Sequence, residues 1–302
     1  MDLSYFFELF LGGMTRGSIY ALIALGYTMV YGIIKLINFA HGEIYMIGAF
    51  TALIISSVLG FTGMNSILIL VISGVLAIFF SSAYGVTMEK IAYKPLREAP
   101  RLSALISAIG MSMFLQNYVL LAQTPDFLPF PTLIPDFKFL KPIEKILNST
   151  QLVILVTTAV VMILLTILIK FTRTGKAMRA TSQDAKMAQL LGININRVIT
   201  ITFIIGSATA AIGGVLISSH TGQLNYYIGF IAGIKAFVAA VLGGIGSIPG
   251  AVLGSFVLGW TESFGTGYIS SDYEDVFAFI FLLVILIFRP SGILGKSQND
   301  KV

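Results

Sequence analysis

Cysteine is absent from the chain, which excludes disulfides, thiolate metal sites and a cysteine nucleophile. Histidine is almost absent: His41 and His220 are the only two, too few for a histidine-rich metal centre. Charge is scarce as well. Only 11% of residues are Asp, Glu, Lys or Arg, where a soluble globular chain carries roughly 25%. No HExxH sequence occurs and no pair of aspartates falls inside an apolar run, so the chain offers no chemistry for a membrane hydrolase. A nucleotide-binding P-loop is missing too. Gly295, Lys296 and Ser297 supply the end of that pattern, but Pro290 stands where its first glycine belongs, and no strand-like run precedes it. No cofactor is expected, and energy for any work must come from a partner or from an ion gradient. Asp2 and Glu8 come before the first apolar stretch in place of a basic n-region, which points away from a cleaved signal peptide.

What the chain has instead is apolar length. Of 302 residues 56% are hydrophobic, and the mean hydropathy is +0.91. A stretch that spans a bilayer needs about 20 mostly apolar residues. Uncharged runs separated by charge clusters predict an all-α, polytopic transmembrane helix bundle forming one domain over residues 1–302. Span one falls near 17–34, with the stretch 6–14 read as an interfacial segment. The uncharged run 44–88 is too long for one helix, and GFTGMN at 60–65 is its turn. Spans four, five and six fall at 102–123, 151–169 and 198–218. Residues 124–150 hold five prolines and form the main loop outside the membrane. Runs 228–242 and 251–261 are separated by GGIGSIPG at 243–250, and the last span is 273–288. If GGIGSIPG reverses the chain there are nine crossings; if it only kinks, there are eight.

Orientation follows from Lys and Arg, which concentrate in cytoplasmic loops. Loops 89–101 and 170–197 are both basic, and an even number of spans lies between them, so the two assignments agree. The N-terminus is then outside. With nine crossings the acidic loop 270–275 faces out and the tail with Arg289, Lys296 and Lys301 faces in. The net charge of +5 reads as this cytoplasmic bias and not as a nucleic-acid surface, since the aromatics lie within apolar runs.

The segment 170–197, KFTRTGKAMRATSQDAKMAQLLGININR, is the most informative polar stretch. Thr181 followed by Asp184 reads as a capping box opening a helix. Met187, Leu190 and Leu191 then share one face, and Gly192 is placed to end it. An amphipathic helix held beneath a membrane domain needs something to dock on, and a cytoplasmic protein is the expected partner.

Two interruptions break the apolar pattern: GIIKLINFAHGE at 32–43 and GGIGSIPG at 243–250. Broken backbone at membrane depth is tolerated only where it is buried in protein or lines a cavity, and paired interruptions point to a translocation site in transporters. Asn38, His41, Glu43, Lys235, Gly243, Gly244, Gly246 and Pro249 are therefore the candidate path residues. His41 and Glu43 either line the path or form a hydrogen-bonded pair that caps the start of span two. Lys235 lies inside an apolar run and is a gating charge, a structural lock paired with Glu43 or Glu262, or a group snorkelling to the interface. The glycines of 243–254 permit close helix packing.

At these residues the chain resembles the branched-chain amino-acid ABC importer permease, the H-type subunit of the Liv system. ALIALGYTMVYGIIKLINFAHGEIYMIGAF (21–50), RLSALISAIGMSMFLQNYV (101–119), GKAMRATSQDAKMAQLLGI (175–193), GIKAFVAAVLGGIGSIPGAVLG (233–254) and RPSGILG (289–295) carry the likeness over essentially the full length. The resemblance implies a multi-pass protein of the bacterial inner membrane. It implies as partners a second homologous permease subunit, two cytoplasmic ATP-binding subunits and a periplasmic protein delivering leucine, isoleucine or valine. It also implies an ATPase-coupling loop, placed here on Arg173, Gly175, Arg179, Asp184, Lys186, Met187, Leu190, Leu191 and Gly192. The family's coupling motif begins Glu-Ala-Ala; Asp184, Ala185, Ala188 and Gly192 are its nearest counterparts, and there is no glutamate. The rival expectation is an ion-coupled transporter working alone, which needs intramembrane carboxylates or a cation site.

Overall fold

The computed structural model describes residues 3–97, 99–144, 146–289 and 291–295. The proline at 290 and the lysine–serine pair at 296–297, on which the P-loop comparison turns, lie outside them, as does Lys301.

The described residues are almost wholly helical. In chain order the helices are α1 (Leu3–Ile34), α2 (His41–Gly60), α3 (Ser66–Met88), α4 (Arg101–Ala122), α5 (Ser149–Phe171), α6 (Arg173–Gln183), α7 (Ala185–Leu190), α8 (Ile195–Thr221), α9 (Ile228–Gly243), α10 (Ile248–Tyr268) and α11 (Glu274–Phe288). Six of them, α1 to α5 and α8, are each long and apolar enough to cross a membrane. Between α9 and α10 the chain bends by 119°. At 1.5 Å per residue, α9 and α11 are only about 24 and 22 Å long, against a hydrocarbon core of about 30 Å. The expected count of eight or nine is therefore approximate: six full spans are joined by a bent pair and a short last helix.

α1 forms the centre. Its most apolar stretch is 78% buried, while that of α5 is 17% buried. It packs along α10, α8 and α9, and α2 and α3 close on α8. Aliphatic and small residues of α1 (Ile19, Leu22, Ile23, Ala24) meet Tyr45 of α2, Phe203 and Leu216 of α8 and Ala236 of α9 in one core. α3, α4 and α5 present Val71, Val75, Ile106, Phe114, Val160 and Ile163 outward. Outward leucines, valines and phenylalanines on every peripheral helix are what a lipid-facing surface requires, and this is a multi-pass membrane protein.

One expectation fails at α1. The stretch 6–14 is not a separate interfacial segment: α1 runs unbroken from Leu3. Arg16 lies within this continuous helix, and its partly buried guanidinium pairs with Glu274 at 3.1 Å. Trp260 Nε1 donates to the Phe10 carbonyl and Ser263 Oγ to that of Leu9, which tie this first part of α1 to α10.

The two ends of the bundle are separately tied. Leu128 and Pro129 (β1) pair antiparallel with Leu224 and Gln223 (β2), so the proline-rich loop and the α8–α9 connection share one end. The two basic loops share the other: Arg97 donates to Asn196 and pairs with Glu89, which also accepts from Thr200 Oγ1 at 3.2 Å. Like-charged loops that meet at one end are what the positive-inside reading requires.

Candidate translocation and coupling sites

The segment 170–197 folds as two short helices, not one. α5 ends at Phe171, and Thr172 caps α6 by accepting the Gly175 N–H at 3.0 Å. Gly175 is needed there: a Cβ would stand 2.3 Å from the carbonyl oxygens of Leu168 and Ile169. Gly175, Met178 and Thr181 form the buried face of α6, and Arg179 donates back to the Ile169 carbonyl. Thr181 is therefore no cap. It lies in the third turn of α6 and donates to Ala177 O. Asp184 caps the second helix, α7, by accepting the Met187 N–H at 2.9 Å. The expected capping box paired two residues that belong to different helices.

The end of α7 matches expectation. Gly192 has φ +84°, its N–H reaches Gln189 O, and Ile193 N–H reaches Ala188 O, the reciprocal pattern of a glycine-terminated helix. Ala188 alone of α7 is buried. Met187, Leu190 and Leu191 are 55%, 82% and 75% exposed. Lys186 is exposed among them, and Arg173 is exposed at the start of α6. Three large apolar side chains thus stand free on a helix braced against the bundle by α6.

The path candidates separate into three places. At the first break α2 begins at His41 with no side-chain cap, and His41 and Glu43 are not a bonded pair. Glu43 Oε1 accepts from Ser112 Oγ of α4 at 3.0 Å, Asn38 Oδ1 accepts from Tyr93 Oη at 2.7 Å, and the His41 ring stands edge-on to Tyr27 at 5.0 Å. All three are buried.

The second place is a charge cluster. Lys235 Nζ donates to Glu274 Oε1 at 2.8 Å and lies 2.8 Å from Asp275 Oδ1. It is 3.3 Å from Glu262 Oε1, an ionic contact without hydrogen-bond geometry. Tyr20 donates to the other oxygen of Glu262 at 2.6 Å. Glu262 was one of the two expected partners; Glu43 is not a partner. Glu274, Asp275 and Arg16 were not foreseen, although a lone arginine in an apolar run and an acidic pair opening the last helix are complementary signals. The cluster joins α1, α9, α10 and α11, so Lys235 is engaged within the protein and does not reach for an interface.

The third place is the α9–α10 turn. A Cβ on Gly243 would stand 1.9 Å from Gly250 O, so two backbones pack face to face there. Ser247 caps α10 by accepting the Gly250 N–H, with Pro249 in the first turn, where a missing N–H is harmless. Gly244 and Gly246 have positive φ, +102° and +93°. The 291–295 tail lies on this turn: Ile293 N–H donates to Leu242 O and Leu294 N–H to Gly243 O, supplying donors to the end of α9. The two sequence breaks thus have different surroundings: the first lies against α2, α4 and the start of α9, the second against the tail.

Among the described residues no group of histidines and acids could hold a metal ion.

Residues 9–286 match the family model described as the permease component of branched-chain amino-acid transport systems. The chain belongs to this family. The LivH permease protein of the high-affinity branched-chain amino-acid transport system of Salmonella typhimurium is 49% identical over 99% of this chain and 98% of its own length. BraD of Pseudomonas aeruginosa, named for the same kind of system, is 48% identical over 100% and 99%. A solved structure, PsaBC from Streptococcus pneumoniae with a Fab, aligns over 95% of this chain and 91% of its own at 14% identity, with a TM-score of 0.44. The exposed α7 face and the buried polar breaks are the candidate sites of this chain.

Proposed function

We propose that this chain is the permease subunit of an ATP-driven importer for leucine, isoleucine and valine in a bacterial inner membrane. It works with a second homologous permease subunit, two cytoplasmic ATP-binding subunits and a periplasmic amino-acid-binding protein. The near full-length likeness to LivH and BraD carries the reading. The chain performs no covalent chemistry. It supplies half of an alternating-access path, and α7 receives force from an ATP-binding subunit through Met187, Leu190 and Leu191. The charge cluster of α9, α10 and α11 fits a structural use, since Glu262 and Lys235 form an ion pair; that leaves the lone, ion-coupled reading a single buried carboxylate without a paired cation among the described residues, Glu43, to work with. Proteoliposomes holding the complete assembly should take up leucine when ATP is inside and the loaded binding protein outside. No uptake from that mixture would refute the proposal.

Orientation is tested in cells, using the absence of native cysteine. Ser271, exposed before α11, should react as Ser271→Cys with an impermeant thiol reagent added outside. Gln189, exposed on α7, should react as Gln189→Cys only after permeabilisation. Reaction of Gln189→Cys in intact cells would invert the topology.

A further inference from the structure

Three acidic side chains are buried among the described residues: Glu43, Glu89 and Glu262. Glu89 pairs with Arg97, and Glu262 lies against Lys235. Among the described residues Glu43 faces no cation. Ser112 satisfies its Oε1, and its Oε2 has no partner. A carboxyl group taken from water needs a counter-charge or hydrogen bonds on both oxygens. Two more buried polar atoms without partners belong to the same break, His41 Nε2 and Asn38 Nδ2.

The free oxygen of Glu43 is aimed at the start of α9. A Cβ placed on Gly229, the second residue of that helix, would stand 2.6 Å from Oε2. The first turn of a helix carries unsatisfied N–H groups and the positive end of its dipole. Between α2 and α9 the contact is backbone on backbone: a Cβ on Gly42 would lie 2.2 Å from Gly229 O and 2.8 Å from Gly233 Cα. A seam of glycines has no interlocking side chains to disengage when the helices move apart. An acid lacking its cation thus sits beside a helix end suited to an anion. An α-amino acid carries both complements on adjacent atoms.

We propose that Glu43 takes the α-ammonium group of the transported amino acid when the α2–α9 seam opens, with the first turn of α9 facing the substrate carboxylate. This rests on the transport reading above and assigns the residue that recognises the substrate. Glu43 and α9 meet across the seam, and the zwitterion separates them by supplying each with the opposite charge.

The test uses the complete assembly in proteoliposomes with its binding protein, and leucine as the probe. Glu43→Gln keeps the shape and the Ser112 contact while removing the charge. Leucine uptake should fall at least tenfold, while ATP hydrolysis stimulated by the loaded binding protein stays within twofold of wild type. Glu43→Asp, which keeps the charge on a shorter arm, should retain more than a tenth of wild-type uptake. Uptake by Glu43→Gln within twofold of wild type would overturn the assignment. So would an equal loss of uptake and of stimulated hydrolysis in both variants, which marks a packing role. If Glu43→Gln does not assemble, Glu43→Asp decides: an assembled transporter with less than a hundredth of normal uptake contradicts the proposal, and one above a tenth supports it. A wild-type assembly that takes up no leucine would instead strike the transport reading itself.

Discussion

Leu190→Asp should abolish ATP-driven leucine uptake while the subunit still reaches the membrane. Leu190 is 82% exposed, so the substitution removes nothing from the bundle. The loss appears only where another protein covers the residue. Burying a leucine side chain contributes roughly 1.5–3 kcal/mol, and the aspartate adds a charge that the partner would have to desolvate. Together these weaken docking by more than about tenfold to a hundredfold. Gly192→Pro should act at the same place by another route. Proline fixes φ near −65°, whereas Gly192 sits at +84°, and it deletes the N–H that reaches Gln189 O. The end of α7 would lose its stop, and with it the placement of Leu191. Gln189→Ala, on the exposed surface, should transport normally. The measurements are co-purification of the ATP-binding subunits and stimulated ATP hydrolysis. If α7 merely lies on lipid, Leu190→Asp will co-purify the ATPases normally and transport as wild type.

The second large effect is on stability. Lys235→Met should leave the subunit scarcely folded, and Lys235→Met combined with Glu262→Gln should restore much of the loss. Glu262 is fully buried, and without Lys235 it keeps only Tyr20 and distant Arg16. Removing one member of a buried ion pair costs about 3–5 kcal/mol, whereas replacing both members with neutral groups is often tolerated. Native proteins have only about 5–15 kcal/mol in hand. Glu274 and Asp275 are partly exposed and should matter less, because solvent screens them. Thermal unfolding of the detergent-purified subunit, read by size-exclusion chromatography after heating, reports the three proteins side by side. An unchanged midpoint for Lys235→Met alone would show that the cluster is wet and contributes little.

Periodicity and charge were enough to find the long helices, because a membrane span has to be apolar along its whole length. The turn at 60–65 and the spans on either side of it were legible for that reason. The pairing of Arg16 with Glu274, which places a charge within the continuous α1, was not legible because the two lie 258 residues apart in sequence. Thr181 misled for a local reason. The pattern of a small polar residue three before an acid fits a helix start, but Thr172 had already started one, and Gly175 fixes it by its close approach to α5. Gly192 was legible because a helix commonly ends on a residue of positive φ, which only glycine adopts freely. The tail at 291–295 could not be foreseen as a cap on α9, since a backbone-to-backbone contact leaves no side-chain signature. Glu43 stood out in sequence as an acid at a break; that its second oxygen lacks a cation needed the surrounding helices.

This chain should move amino acids only as part of an ATP-driven assembly. Radiolabelled leucine uptake into proteoliposomes tests it most directly, with the purified chain alone under proton and sodium gradients compared with the complete assembly given ATP and binding protein. Uptake is expected from the assembly, dependent on ATP, and none from the chain alone under either gradient. Gradient-driven uptake by the single chain would contradict it.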